Sequence, residues 1–214
     1  MAIDTQLYGP RYSTYTRTVR LALAEKGIDY DLVEIDFLRG AGATPEHRAR
    51  HPFGKVPVIK YGEHLVYETG AILQFIEDVF DGSSLVQTEP HEKALMNQIT
   101  GVLNAYVYPP LISTIVVQHF IMPIIGGETD LGRIAKAVPQ ARKALGVVND
   151  LLGENPFLAG THITHADLYL IPMYDYFSLT PEGGELLPEI GNLARWWKDI
   201  KERPSVIDTA APIA

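Results

Sequence analysis

Strand-like alternation is confined to the first third of this 214-residue chain. Ile3–Tyr8 and Asp29–Asp36 read as strands. Between them Thr16–Lys26 has helical composition and is followed by Gly27, a residue suited to the position just past a helix end. Pro45–Arg50 reads as a short basic helix or turn. Lys55–Tyr61 and Glu63–Tyr67 flank Gly62 and read as a hairpin. Apolar residues at Ile72, Leu73, Phe75, Ile76, Val79 and Phe80 then form a helical stripe over Thr69–Phe80. The order is β-α-β-α-β-β-α within residues 1–80. After a linker at 81–87, residues 88–214 show only helical spacing. Helices are expected from residue 88 to about 120 with an interruption at Pro109-Pro110, then over Asp130–Leu152, Thr164–Phe177 and Leu193–Lys201, with a last turn after Pro204. The fold class is α/β followed by all-α.

Composition removes several functions. The chain has 18 Lys+Arg against 26 Asp+Glu, a formal charge of −8, so a polyanion such as nucleic acid is an unfavoured partner. It has no cysteine, and therefore no thiol nucleophile, disulfide or zinc–thiolate site of its own. Leu111–Ile125 is the most apolar stretch; Ser113, Thr114, Gln118, His119 and Pro123 interrupt it, and it is shorter than a bilayer requires. The start carries an early Asp and no basic-then-apolar leader pattern, so no membrane role and a cytoplasmic location are expected. His47 and His51 are four apart, and His162 and His165 lie near Asp167, but neither pair has evident third and fourth ligands; no metal is expected. Residues 37–61 hold Arg39, Arg48, Arg50, Lys55 and Lys60 against Glu46, a local excess of +4, which makes a candidate anion site or a solvated basic face.

The element order of residues 1–80 is that of a thioredoxin-like domain. Where such domains often carry a Cys at the start of the first helix, this chain reads Gly9-Pro10-Arg11-Tyr12-Ser13-Thr14. Four segments, STYTRTVRLALAEKG (13–27), HPFGKVPVI (51–59), YETGAI (67–72) and FLAGTHITHADL (157–168), are individually weak motifs. In this order and at these separations, the sequence resembles a cytosolic glutathione S-transferase of the serine type, closest in pattern to the phi and theta classes and their bacterial relatives.

The resemblance implies a thioredoxin-like glutathione-binding domain and a helical domain contributing the acceptor-substrate pocket. It implies that the Ser13 hydroxyl donates a hydrogen bond to the sulfur of bound glutathione and favours the thiolate. It also implies that Val56-Pro57 is a cis pair whose Val56 backbone binds the cysteinyl backbone, that Lys55 lies near the glycyl carboxylate, and that Glu68 and Thr69 hold the γ-glutamyl ammonium and carboxylate. Glutathione would be the co-substrate and a small apolar electrophile the second substrate. Arg11, Tyr12, Tyr106 and Ile112 are candidates for the acceptor pocket. Phe53 sits where related enzymes insert an aromatic into a partner subunit, so a homodimer is expected. Two departures stand out: Thr69 replaces the usual serine, and Gly42-Ala43 replaces a His-Lys pair that would serve the glycyl end. The capping-box pattern Thr164-His-Ala-Asp167 is expected to serve folding. The same thiolate supports peroxide reduction, isomerisation or dehalogenation, and the fold could instead serve as a non-catalytic protein-binding module.

Overall fold

The computed structural model describes residues 4–213. Its contacts divide the chain into two compact units. The first runs to Ser84 and takes in Asp208–Pro212; the second is Leu85–Ile207. The sequence pattern assigned all of 88–214 to one domain, but Asp208–Pro212 clusters with the first unit. The reason is local chemistry. Arg20, 4% exposed on the first helix, donates to the carbonyls of Thr209 (2.9 Å) and Asp208 (3.4 Å) and to the Tyr30 hydroxyl (3.1 Å). A buried guanidinium needs such acceptors, and the returning backbone supplies them.

The first unit follows the expected order: β1 (Thr5–Tyr8), α1 (Thr14–Glu25), β2 (Asp31–Val33), α2 (Pro45–Arg50), β3 (Val58–Tyr61), β4 (His64–Tyr67) and α3 (Thr69–Val79). Ile3, the expected first residue of β1, lies outside the described residues. The sheet order is β2-β1-β3-β4, with β1 and β2 parallel and the other neighbours antiparallel. β2 covers three of the eight residues its alternation suggested. It is an edge strand, paired only where Gln6, Leu7 and Tyr8 of β1 run beside it. Leu7, Val19, Ile59, Ile72, Leu73 and Ile76 are fully buried and form the centre of this unit. Gly27 has φ +68, the left-handed conformation that lets the chain leave α1.

The second unit is helical. A continuous helical run, α4, spans Pro90–Ile124. Its turns widen to π geometry over Leu103–Val107 and Leu111–Ile121, on both sides of Pro109-Pro110. The prolines have no N–H to give, and the wider turns carry the helix past the lost bonds. By length and composition α4 could cross a bilayer, unlike the shorter stretch marked in the sequence. In this unit it presents a buried stripe, including Met96, Ile99, Leu103, Val107 and Ile115, and packs on the next two helices, α5 (Leu131–Leu152) and α6 (His165–Ser178). Three shorter helices follow: α7 (Pro181–Leu186), absent from the sequence reading, α8 (Gly191–Ile200) and α9 (Pro204–Asp208). Pro139 and Pro172 lie inside unbroken helices.

Candidate active site

Strand register decides which residues of the first unit meet. Tyr8 pairs with Val33 on one side and Val58 on the other, and Val58 pairs with Tyr67. These four residues form one row across the sheet. The loops leaving that row carry Arg11–Ser13, the Glu34–Thr44 connection, Lys55–Pro57 and Glu68–Thr69. The predicted glutathione residues therefore share one end of the sheet. Strands lie about 4.8 Å apart, so the ends of β1 and β4 are roughly 10 Å from each other, the reach of an extended tripeptide.

Ser13 caps α1. It has extended backbone (φ −67, ψ 126), and its Oγ accepts the Thr16 N–H at 3.3 Å. A hydroxyl that accepts there keeps its own proton to donate. No acidic side chain occupies the first turn of α1, so the positive end of the helix is not cancelled locally. Ser13 is half-buried, open to a ligand yet partly shielded from water. Arg11, beside it, is exposed and paired with Glu34 at 2.7 Å. Tyr12 is half-buried; burial, together with the nearby Asp36 and Glu34 carboxylates, pushes its phenol up despite the Leu38 backbone amide. Its ring belongs to the segment after β2.

The Val56–Pro57 bond is cis. Val56 is half-buried, Pro57 buried and Lys55 exposed. The bend is held from behind by His47, 1% exposed, whose Nε2 bonds the Lys55 carbonyl at 2.8 Å. A carbonyl only accepts, so the ring proton sits on Nε2. His47 and His51 are thus loop-holding residues, and no group of three metal-ligating side chains exists among the described residues.

Glu68 and Thr69 begin α3. Thr69 is 9% exposed. Glu68 has φ +68, the one positive φ at a non-glycine residue described. Such a backbone costs energy and persists where surrounding structure enforces it, characteristically at binding sites. Its carboxylate is exposed and makes no cap within the helix. His51 Nε2 lies 3.9 Å from Glu68 Oε1. Neither the strained Glu68 nor the histidine contacts were visible in the sequence; the one available signal was the i, i+4 histidine spacing.

Gly42 accounts for a departure from the family pattern. A Cβ there would come 2.7 Å from the Gly54 carbonyl oxygen and 2.8 Å from the Phe37 ring. The two loops touch through backbone, leaving no room for a side chain at position 42. Of the basic cluster, Arg39 pairs with Asp36, while Arg50 pairs with Glu46 and lies 4.5 Å over the Tyr8 ring. Lys55 is the exposed cation next to the cis bond.

Tyr106 and Ile112 belong to the second unit. Ile112 is buried, 6% exposed. Tyr106 is 65% exposed and faces α5 across a cavity of about 570 Å³, lined also by Val102, Ala105, Pro109, Ala144 and Val147.

Comparison with known proteins identifies the family. Residues 7–84 match the model of the glutathione S-transferase N-terminal domain, and residues 132–198 that of the C-terminal domain. Glutathione S-transferase F12 of Arabidopsis thaliana is 30% identical over 202 residues, 94% of each chain. The chain belongs to the glutathione S-transferase family. The crystal structure of glutathione transferase F7 from Populus trichocarpa superposes with a TM-score of 0.89 at 30% identity, covering 98% of this chain and 99% of that one. Glutathione S-transferase I from maize, solved with an atrazine–glutathione conjugate, gives 0.86 at 29% identity and 98% coverage of both. The fold of this family, a thioredoxin-like domain with a mixed sheet followed by an all-helical domain, is the one found. These relatives are plant proteins and lend no support to a specifically bacterial assignment.

Proposed function

We propose that this glutathione S-transferase is of the serine type, holding glutathione as thiolate at Ser13 and conjugating it to small apolar electrophiles. The observation that carries the reading is the row of register partners, which gathers Ser13, Lys55-Val56-Pro57 and Glu68-Thr69 at one end of the sheet. In this reading the cysteinyl backbone lies along Val56 as an added strand. Glu68 takes the γ-glutamyl ammonium, Thr69 and the α3 N-terminus take its carboxylate, and Lys55 takes the glycyl carboxylate.

The energetics are sufficient without a general base. A free thiol has a pKa near ~8.5, and lowering it two units needs about 2.7 kcal/mol of preference for the thiolate. A hydrogen bond to a charged acceptor supplies roughly 1.5–3 kcal/mol, and a helix N-terminus adds about 0.3–1. Ser13 offers both. The decisive experiment is Ser13→Ala. Glutathione affinity should hold while the rate at neutral pH falls and the alkaline shift of the pH–rate profile reports a higher thiol pKa. An unchanged profile removes Ser13 from the mechanism. Retention on immobilised glutathione without turnover of an aromatic halide would favour the binding-module alternative.

The partner reading is a homodimer. Phe53 is 73% exposed, unusual for a phenylalanine, on the loop just before the cis bond. The cavity at Tyr106 on a second copy is mostly apolar, with Gln140 and Lys143 also in its lining, and is large enough for an aromatic side chain. Reciprocal insertion of Phe53 closes a two-fold assembly. This assigns Tyr106 to the interface rather than to the acceptor pocket. Phe53→Asp should give a monomeric mass in sedimentation; an unchanged dimer would refute the insertion. A cytoplasmic location follows from the co-substrate, since reduced glutathione is the thiol of that compartment.

A further inference from the structure

His51 follows the last residue of α2 and is 2% exposed. Its two ring nitrogens face different partners. The Phe53 N–H donates to Nδ1 at 3.3 Å, so Nδ1 carries the lone pair and the neutral ring bears its proton on Nε2. Nε2 faces Glu68 Oε1 at 3.9 Å, a gap that a small rotation of the exposed carboxylate closes. The Tyr67 ring packs on the imidazole with centroids 4.7 Å apart, fixing the ring plane. A side chain held on three sides thus points a donor at a carboxylate whose backbone is strained and whose side chain is otherwise exposed.

We infer that His51 is a positioning residue: its Nε2–H orients the Glu68 carboxylate toward the γ-glutamyl ammonium and ties that carboxylate to the backbone that carries Phe53. The inference rests on the glutathione reading of Glu68. The charged and titratable groups around His51 are Glu68, His47 and Lys55. Burial, the largest influence, holds the imidazole below its ordinary value, with His47 and Lys55 acting in the same direction and Glu68 against it. The ring stays neutral at pH 7 and does not compete as a cation for the carboxylate that must receive the ammonium.

Two variants separate the nitrogens. His51→Asn keeps an acceptor at the Nδ1 position but has nothing at Nε2. His51→Gln reaches the Nε2 position with an amide N–H but gives up the Nδ1 acceptor. His51→Asn should raise the glutathione KM about tenfold, the value of one hydrogen bond to a charged group, with kcat within about twofold. His51→Gln should recover most of that loss. The ligand test uses S-methylglutathione and its analogue with glutaryl in place of γ-glutamyl, which lacks the ammonium. Wild type should prefer the ammonium-bearing ligand, and His51→Asn should shrink that preference. Equal weakening of both ligands, or identical behaviour of the two variants, overturns the positioning role. Equal binding of both ligands by wild type refutes instead the Glu68–ammonium contact, and the inference falls with it. Nitrogen-15 shifts of the wild-type imidazole give an independent readout that needs no variant: a proton on Nδ1 would overturn the proposal.

Discussion

Several helices of this protein begin with a hydroxyl cap, and two of those starts are used in opposite ways. At α6, Asp167 is fully buried and reaches back over the turn. Its carboxylate accepts the N–H groups of Leu158 and Thr164 and the indole N–H of Trp196, each at 2.9 Å, and the Thr164 hydroxyl at 3.1 Å. Every donor there is consumed internally. At α1, Ser13 is half-buried, accepts one N–H at 3.3 Å, and keeps its proton unspent. Satisfied buried polar groups make structure, whereas a partly exposed cap with a free donor is available for chemistry. The contrast predicts that the two sites fail differently when cut.

The largest effect should be at the buried start. Asp167→Ala orphans three N–H donors in the core of the second unit and should cost roughly 3–5 kcal/mol. The urea midpoint measures it. A loss under about 1 kcal/mol would mean that water or a rearranged turn replaces the carboxylate. Ser13→Ala should show the reverse: a rate loss of roughly 25-fold at pH 7 for a two-unit rise in the bound thiol pKa to about 8.5, with only about 1 kcal/mol of stability lost with the cap. If the midpoint falls as far as in Asp167→Ala while the pH–rate profile stays put, the two helix starts are alike and the contrast is void.

Loop packing at the site sharpens the comparison further. Gly42→Ala introduces a methyl group against the Gly54 carbonyl and the Phe37 ring, and backbone cannot swing aside as a side chain can. It should cost about 1–3 kcal/mol and raise the glutathione KM by shifting the Lys55–Pro57 loop. Gly40, in left-handed geometry (φ +85) with open space around a would-be Cβ, should instead lose only the glycine's conformational ease when changed to Ala, about 1 kcal/mol. Denaturation midpoints of the two variants separate crowding from backbone geometry.

The sequence made legible whatever depends on neighbours along the chain. The hairpin turn at Gly62, the helix stop at Gly27, the start of α3 at Thr69 and the element order of the first unit all follow from local rules, and the family resemblance implied the cis bond. What it hid depends on contacts between distant segments. β2 shrinks because β1 offers only three partners. Gly42 was readable as a departure from the family pattern, but not as the place where two backbones touch. The i, i+4 spacing of His47 and His51 showed that the two share a helix face but not what each ring does: one bonds the Lys55 carbonyl, the other stands between Phe53 and Glu68. The strain at Glu68 has no local signature at all, since nothing about glutamate favours a positive φ.

The smallest predicted effect concerns pH, and there the two units carry opposite signs. Burial holds the His51 imidazole of the first unit below its ordinary 6.5. The unfolded chain then takes up that proton before the folded one, so the contribution of His51 is present above pH 6.5 and is lost as the pH falls below it. In the second unit, burial pushes the Asp167 carboxyl above its ordinary 3.8, against the pull of its hydrogen bonds. The folded form takes up that proton first, so its contribution grows as the pH falls toward 3.8 and fades as the pH rises through the folded value. Between pH 7 and 5, amide exchange of β3, β4 and the start of α3 should therefore speed up relative to α6 and α8. His51→Asn, with no proton to gain, should flatten that difference without altering exchange in α6. A parallel drift of both units in wild type would show that titrations shared across the whole chain, rather than these two buried groups, set its acid response.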